Sequence, residues 1–347
     1  MITVIIPFFD KDSYRRRNLA AVVDNFMFNY PDFEIIIAEQ LSDSTYIKSV
    51  LIPIHPLLKH VQIKVGSDRF NKSYVINQTI RNYATYDIIM MSDADCIIPK
   101  IENSVFITEL IKHSVYFPFS RVNFLNEAHT RRYIKGNPLI QSAHKQDLFI
   151  NRYTGLINVF NKTTFDVVGG FDEEFEGWGG EDDAFVDKCN RLVSPIKRCT
   201  GDVELLHLYH PKTNNVEYTK SECFTWNKKR VAAIRRMSDN ELQMYVADVI
   251  AGKSNPLESI VREYDAAGRL NFNVNLKIGT GSIAIDTTVY AITSTDGEIG
   301  LKEILQAVVN TDGLGFLEQI IDLIDDRIEN MTDEEVLIVE FFRSMYS

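Results

Sequence analysis

The sequence predicts an α/β protein built on a doubly wound, largely parallel sheet, and three observations carry that prediction. Short apolar, β-rich runs alternate with helix-length amphipathic segments through the first hundred residues. The runs end in polar corners, at Glu39-Gln40 and at Asp93-Ala94-Asp95, where sheets of this kind bind ligands. A 45% hydrophobic and 24% charged composition is that of an ordinary globular protein, and no apolar run approaches the length of a membrane span.

Residues 3–7 read as the first strand, 8–13 as a loop and 14–29 as a helix. Strands are expected at 33–38, 61–65 and 86–91, with a helix at 71–83 between the last two. Residues 117–151 are less clearly patterned. Their basic pieces, His129–Arg132 and His144-Lys145, fit a solvated loop better than an acceptor or phosphate contact. Residues 159–165 read as a strand leading into a helix capped by Asn161. Beyond 212 the chain reads mostly helical over 216–246, with Lys228, Lys229, Arg230, Arg235 and Arg236 on a basic helix. A hairpin is expected within 271–290, amphipathic helices at 301–309 and 316–328, and a final helix through Tyr346.

Charge divides the chain. Residues 240–347 hold seven Lys+Arg against nineteen Asp+Glu, a net −12, which leaves +1 for residues 1–239 of the total −11. Three units follow: 1–215, a helical extension at 216–250, and an acidic module at 251–347 suited to homo-oligomerisation or acceptor positioning. This balance gives no general attraction to nucleic acid. Cys96, Cys189, Cys199 and Cys223 form no CxxC pair, so reduced thiols in a cytoplasmic protein are expected. Neither GxGxxG nor GxxxxGK[ST] occurs, leaving dinucleotide and P-loop readings without support.

Three constellations carry chemistry. In the stretch 169–183, GGFDEEFEGWGGEDD, glycines flank Trp178, whose indole offers a flat apolar face and one N–H donor for a sugar ring. Glu181, Asp182 and Asp183 follow at the start of a helix, where the dipole favours the ionised state a general base needs. Asp93-Ala94-Asp95 ends an apolar strand, and a divalent cation relieves the repulsion of two such carboxylates. His207 and His210, three apart, lie on one side of a helical turn and can supply two nitrogen ligands.

In that order, DAD, GWGGEDD and HxxH resemble the inverting, metal-dependent nucleotide-sugar glycosyltransferases of the GT-A fold. The resemblance is to β-1,4-galactosyltransferases and chondroitin-synthase-type domains, and runs from residue 2 to about 212. It implies Mn²⁺ held by Asp95, His207 and His210, with Asp93 and Ala94 beside the nucleotide. A donor set of carboxylate and imidazole suits Mn²⁺ better than Mg²⁺ or Ca²⁺. The resemblance places Pro7, Phe8, Gln40, Phe70 and Lys72 on the uridine, and Tyr153 at the donor sugar. One of Arg15, Arg16 or Arg17 takes the place of an arginine that the family has soon after its phenylalanine. Trp178, Gly179, Gly180, Glu181 and Asp183 are implied at the donor and acceptor sugars, under a loop able to close as a lid, and Asp182 is implied as the general base. The expected partners are a UDP-sugar and a saccharide acceptor. A modified-DNA or protein acceptor, suggested by the basic helix, and a non-catalytic sugar- or nucleotide-binding module are the alternatives.

Overall fold

The computed structural model describes residues 1–10, 12–41, 55–65, 69–136, 145–147, 153–211, 222–251, 259–264, 270–278, 281–286 and 291–294. The helices expected at 301–309, 316–328 and the C-terminus lie outside them. Strands β1 (Ile2–Phe8), β2 (Glu34–Leu41) and β3 (Leu58–Lys64) pair in parallel, and β4 (Ile88–Ser92) joins the other side of β1, also in parallel. The order β3-β2-β1-β4 reverses direction between β1 and β4, so the ends of those two strands flank the natural ligand crevice. Val4, Ile5, Ile6, Ile35, Ile36 and Ile37 are all buried, as strands covered on both faces require.

The chain then enters a second, four-stranded sheet through β5 (Cys96–Ile97). Helix α3 (Asn103–Leu110) leads to β6 (Val115–Phe117) in the main sheet, and β7 (Arg121–Phe124) returns to the second one. A three-residue strand, β8 (Lys145–Asp147), lies at the edge of that sheet, and β9 (Ile157–Asn161) runs antiparallel between β4 and β6. β10 (Lys197–Arg198) borders β6, and β11 (Glu204–His207) lies between β5 and β7.

Two helices follow β1 and β3. α1 (Ser13–Asn29) is capped by Asp12, which accepts from the Arg15 N–H, and α2 (Lys72–Asn82) by Asn71, which accepts from the Tyr74 N–H. The basic segment expected to be a solvated loop instead contains a helix, α4 (Glu127–Ile134), capped by Asn126. Its Thr130 is buried and its hydroxyl accepts from the Tyr209 N–H at 2.8 Å. Asn161 precedes α5 (Lys162–Val167) but makes no side-chain cap; its amide points to Leu110 O at 3.4 Å instead.

α6 (Glu181–Leu192) carries the acidic first turn. α7 (Glu222–Arg236) and α8 (Asp239–Ala251) pack on it, with Phe175, Ala184, Val231, Ile234 and Leu242 forming their common core. β12 (Ser259–Tyr264) then hydrogen-bonds antiparallel to β3, and β13 (Leu270–Ile278), β14 (Gly281–Asp286) and β15 (Ala291–Ser294) extend the sheet as a meander. β13 and β14 form the hairpin expected from the alternating pattern. Packing and backbone pairing therefore cross the unit borders expected near 215 and 250. Among the described residues, no helix is long and apolar enough to cross a membrane.

Candidate active site

One half of the site is built from strand ends. After Ser92 the chain turns through Asp93-Ala94-Asp95 into β5, with Ala94 packed against the core. The register of β11 on β5 sets His207 opposite Cys96, beside the acidic turn, and the Leu208 N–H donates to Asp95 O at 2.8 Å. His207 Nε2 stands 3.6 Å from Asp95 Oδ1, and His210 Nε2 stands 3.3 Å from Asp95 Oδ2. Two donors each about 2.1 Å from one ion stand roughly 3 Å apart at a right angle, so these three side chains fit a shared cation. A carboxylate with two imidazoles is also a chemically suitable set for Mn²⁺.

Burial holds the His210 pKa below its ordinary value despite the pull of Asp95, which favours the neutral ring that ligates metal. Asp93, Asp95 and Cys96 form a second cluster of potential ligands. There burial, helped by Asp95 and Asp93, pushes the Cys96 thiol well up and works against a thiolate. The two histidines do not share a helical turn. Pairing with β5 and β7 claims residues 204–207 as strand, and His210 follows in the loop.

The other half is the glycine-rich loop and the start of α6. Gly180, with φ +100°, precedes the helix without a side-chain cap, and Glu181, Asp182 and Asp183 occupy its first turn. Lys72 joins the two halves. From the first turn of α2 its Nζ lies 2.9 Å from Asp93 Oδ1, 2.9 Å from Asp182 Oδ2 and 3.5 Å from Glu181 Oε1. Expected on the nucleotide, this ammonium is engaged by three carboxylates. Burial alone would lower the Lys72 pKa, but Asp182, Asp93 and Glu181 raise it well above the ordinary lysine value.

The helix dipole does not decide the state of these acids. Burial, then the neighbouring Asp182, pushes Glu181 up to about 7, with Lys72 pulling the other way. Burial also raises Asp182, again against Lys72. A carboxylate tuned upward in this way is a stronger proton acceptor than an exposed aspartate.

Residues 153–156 shape the space around Asp182. A Cβ on Gly155 would come within 2.5 Å of Asp182 Oδ2, so the bare glycine makes room for the carboxylate. Thr154 Oγ1 donates to Asp183 Oδ1 at 2.7 Å. Leu156 has φ +69°, a costly conformation for leucine, and its N–H points at Asp93 Oδ2 at 3.3 Å. The Tyr153 ring lies 6.0 Å from Phe124, itself 5.0 Å from the His207 ring, so Phe124 stands between Tyr153 and His207 in one row of ring contacts.

Of the residues expected on the uridine, Pro7 and Phe8 are buried with β1, and Phe8 is only 2% exposed. Phe9 instead stacks on Phe70, with centroids 5.6 Å apart and planes 11° apart. Gln40 braces the Phe70 segment: its amide donates to Arg69 O at 2.8 Å, and its carbonyl accepts from the Asn71 N–H at 2.7 Å. Among the three candidate arginines, Arg15 lies near Asp12, Arg16 pairs with Asp10, and Arg17 donates to Tyr209 O at 3.0 Å, between the two histidines. Trp178 is 60% exposed and stacks on Phe224 of α7. Phe9, Gly155 and Phe224 touch the expected site residues Phe70, Asp182 and Trp178 without having been expected there.

Two family models match the chain: glycosyl transferase family 2 over residues 3–171, and the N-terminal domain of galactosyltransferase over residues 139–212. No curated protein matches it in sequence. Among solved structures, similarity is found to the catalytic domain of Drosophila β1,4-galactosyltransferase 7 in complex with xylobiose. That match has 15% identity and a TM-score of 0.41, covering 80% of this chain and 94% of the other. The S. aureus TarS 1–349 structure matches at 11% identity and TM-score 0.44, covering 99% and 88%. GalNAc-T7 with UDP, GalNAc and Mn²⁺ matches at 11% identity and TM-score 0.45, covering 88% and 72%.

Proposed function

We propose that residues 3–212, matched by the glycosyl transferase family 2 and galactosyltransferase models, form a GT-A domain of the family 2/7 type, and that the chain transfers a sugar from a UDP-sugar to a saccharide hydroxyl, with inversion and with Asp182 as general base. The observation that carries this reading is Lys72, one buried ammonium 2.9 Å from both Asp93 and Asp182. It brings the Asp93 turn and the first turn of α6 together, which supports reading them as the donor side and the base side of one site. The UDP assignment rests on the resemblance at Phe70-Asn71-Lys72 and at GWGGEDD.

Asp95, His207 and His210 would hold Mn²⁺, which when bound neutralises the negative charge that develops on a departing diphosphate. The chain's own part is acid–base work and positioning. Asp182 takes the proton of the acceptor hydroxyl while that oxygen bonds to the anomeric carbon and the bond to the diphosphate breaks on the opposite face. Phe9 and Phe70 would offer the stacked aromatic wall for uracil, and Trp178 an apolar face for the acceptor ring. Residues 1–215 form the catalytic unit in this reading, and 251–347 its acidic appendage. The basic helix does not present an unbroken cationic face, since Arg230 pairs with Asp172 and Arg235 with Asp187.

The test is UDP release by the full chain from UDP-Gal, UDP-GalNAc, UDP-GlcA and UDP-Glc, with and without disaccharide acceptors. Release from one donor is expected to need Mn²⁺ and to stop on chelation. No UDP release from any of the four in the presence of Mn²⁺ would count against it.

A further inference from the structure

The β5–β11 register sets His207 beside the acidic turn, and the strand ends on that residue. His210 lies past the strand's end, where the sheet's own pairing does not reach it. Two helices hold the residue before it. Thr130 is the one buried residue of α4, and its hydroxyl accepts from the Tyr209 N–H at 2.8 Å. Asn18, on the buried face of α1 beside Leu19 and Val22, donates its amide to Tyr209 O at 3.0 Å. Arg17 Nη2 donates to the same carbonyl at 3.0 Å and to Asn18 Oδ1 at 3.1 Å. Tyr14 joins the helices, its hydroxyl 3.4 Å from Glu127 Oε1 and its ring edge-on to the Tyr209 ring at 6.0 Å. Asn18 and Thr130 are both fully buried. Polar groups at that depth cost free energy unless paired, and both spend their pairing on Tyr209.

We propose that Thr130 and Asn18 are positioning residues for His210, forming a clamp on the Tyr209 backbone that keeps the imidazole within reach of Asp95. This rests on the metal reading above and gives α4, in the basic segment, a task of its own. Thr130 holds the peptide that joins residues 208 and 209, and Asn18 with Arg17 holds the next one. A peptide unit is planar, so anchoring the Tyr209 carbonyl sets the direction in which the chain enters His210. The Leu208 N–H, donating to Asp95 O at 2.8 Å, ties the same segment to the acidic turn. His210 Nδ1 lies 3.2 Å from Pro211 O. A carbonyl only accepts, so that contact keeps the proton on Nδ1 and the lone pair on Nε2, the nitrogen 3.3 Å from Asp95 Oδ2. Contacts that orient a metal ligand from outside are typically worth about 10–100-fold in metal affinity.

The test uses the full chain and Mn²⁺ alone, with free Mn²⁺ counted by its paramagnetic resonance signal. Amide exchange in the metal-free protein is followed residue by residue alongside. Thr130→Val keeps the shape but removes the acceptor and should weaken Mn²⁺ binding roughly tenfold, whereas Thr130→Ser should stay within about twofold of the parent. Asn18→Leu should weaken it less than Thr130→Val, because Arg17 still holds the carbonyl. In a His210→Ala chain, Thr130→Val should cost nothing further, since the ligand it places is gone. Without metal, Thr130→Val should speed exchange of the Tyr209 amide and leave the Leu208 amide, bonded to Asp95, protected. Equal Mn²⁺ affinity in the Val and Ser variants, or an undiminished Thr130→Val loss in the His210→Ala chain, overturns the proposal. A parent chain that binds no Mn²⁺, with Tyr209 exchange responding as stated, would overturn the metal reading and leave the clamp standing.

Discussion

The two halves of the cleft are built on different principles. Asp93, Asp95 and His207 stand at or beside the ends of short strands, and the β5–β11 register alone brings His207 to the acidic turn. Asp182 stands on a helix whose approach is a glycine-rich loop, held from outside by α7, α2 and residues 154–156. A strand end is positioned by the sheet's own hydrogen bonds. A loop of this composition is positioned only by what packs on it. The half around Asp95 should therefore tolerate changes at a distance better than the half around Asp182, and three substitutions probe how tightly the second is held.

Asp182→Asn should have the largest effect, lowering kcat for UDP release by about 10²–10⁴-fold while Mn²⁺ still binds, because Asp95 and the histidines are untouched. Normal turnover in the folded variant would remove Asp182 as the base. Gly155→Ala comes next. The new methyl would sit 2.5 Å from Asp182 Oδ2, and displacing a reacting group by about 1 Å costs on the order of 10²-fold. Circular dichroism should be native and the Mn²⁺ requirement unchanged. A Gly155→Ala enzyme with full kcat would show that the carboxylate position is not fixed from this side.

Lys72→Met should have the smallest effect and the most specific one. Lys72 draws the Asp182 pKa down against the effect of burial. Without it the folded-state pKa rises, the base is protonated at higher pH, and the acid limb of kcat/KM moves upward in pH. A limb that stays in place or moves downward would break the electrostatic link between the halves.

The sequence was informative where chemistry is local. Apolar runs with polar ends located β1, β2, β3 and β4, and the acids and histidines stood out as residue types at short spacing. Their local setting was less legible. His207 and His210 fit a helical turn by spacing, yet Leu206 and His207 are claimed by pairing with β5, a strand only two residues long that no periodicity reveals. Phe8, expected at the uridine, has its side chain buried in the core, and Phe9, just past β1, stacks on Phe70. Gly155 carries no signal of its own, because its role is the absence of a side chain where Asp182 needs space.

What this sequence determined by itself is the set of candidate acids and histidines and the alternation that makes a parallel sheet, since both are written in residue type and short-range period. What the tertiary structure alone decided is the protonation balance and the shape of the cleft. Burial of Lys72, Glu181 and Asp182 together, and the seating of Phe224 and Asn227 on a loop more than forty residues earlier, depend on long-range packing. Desolvation and contact are properties of the neighbours, and the chain brings those neighbours together only when it folds.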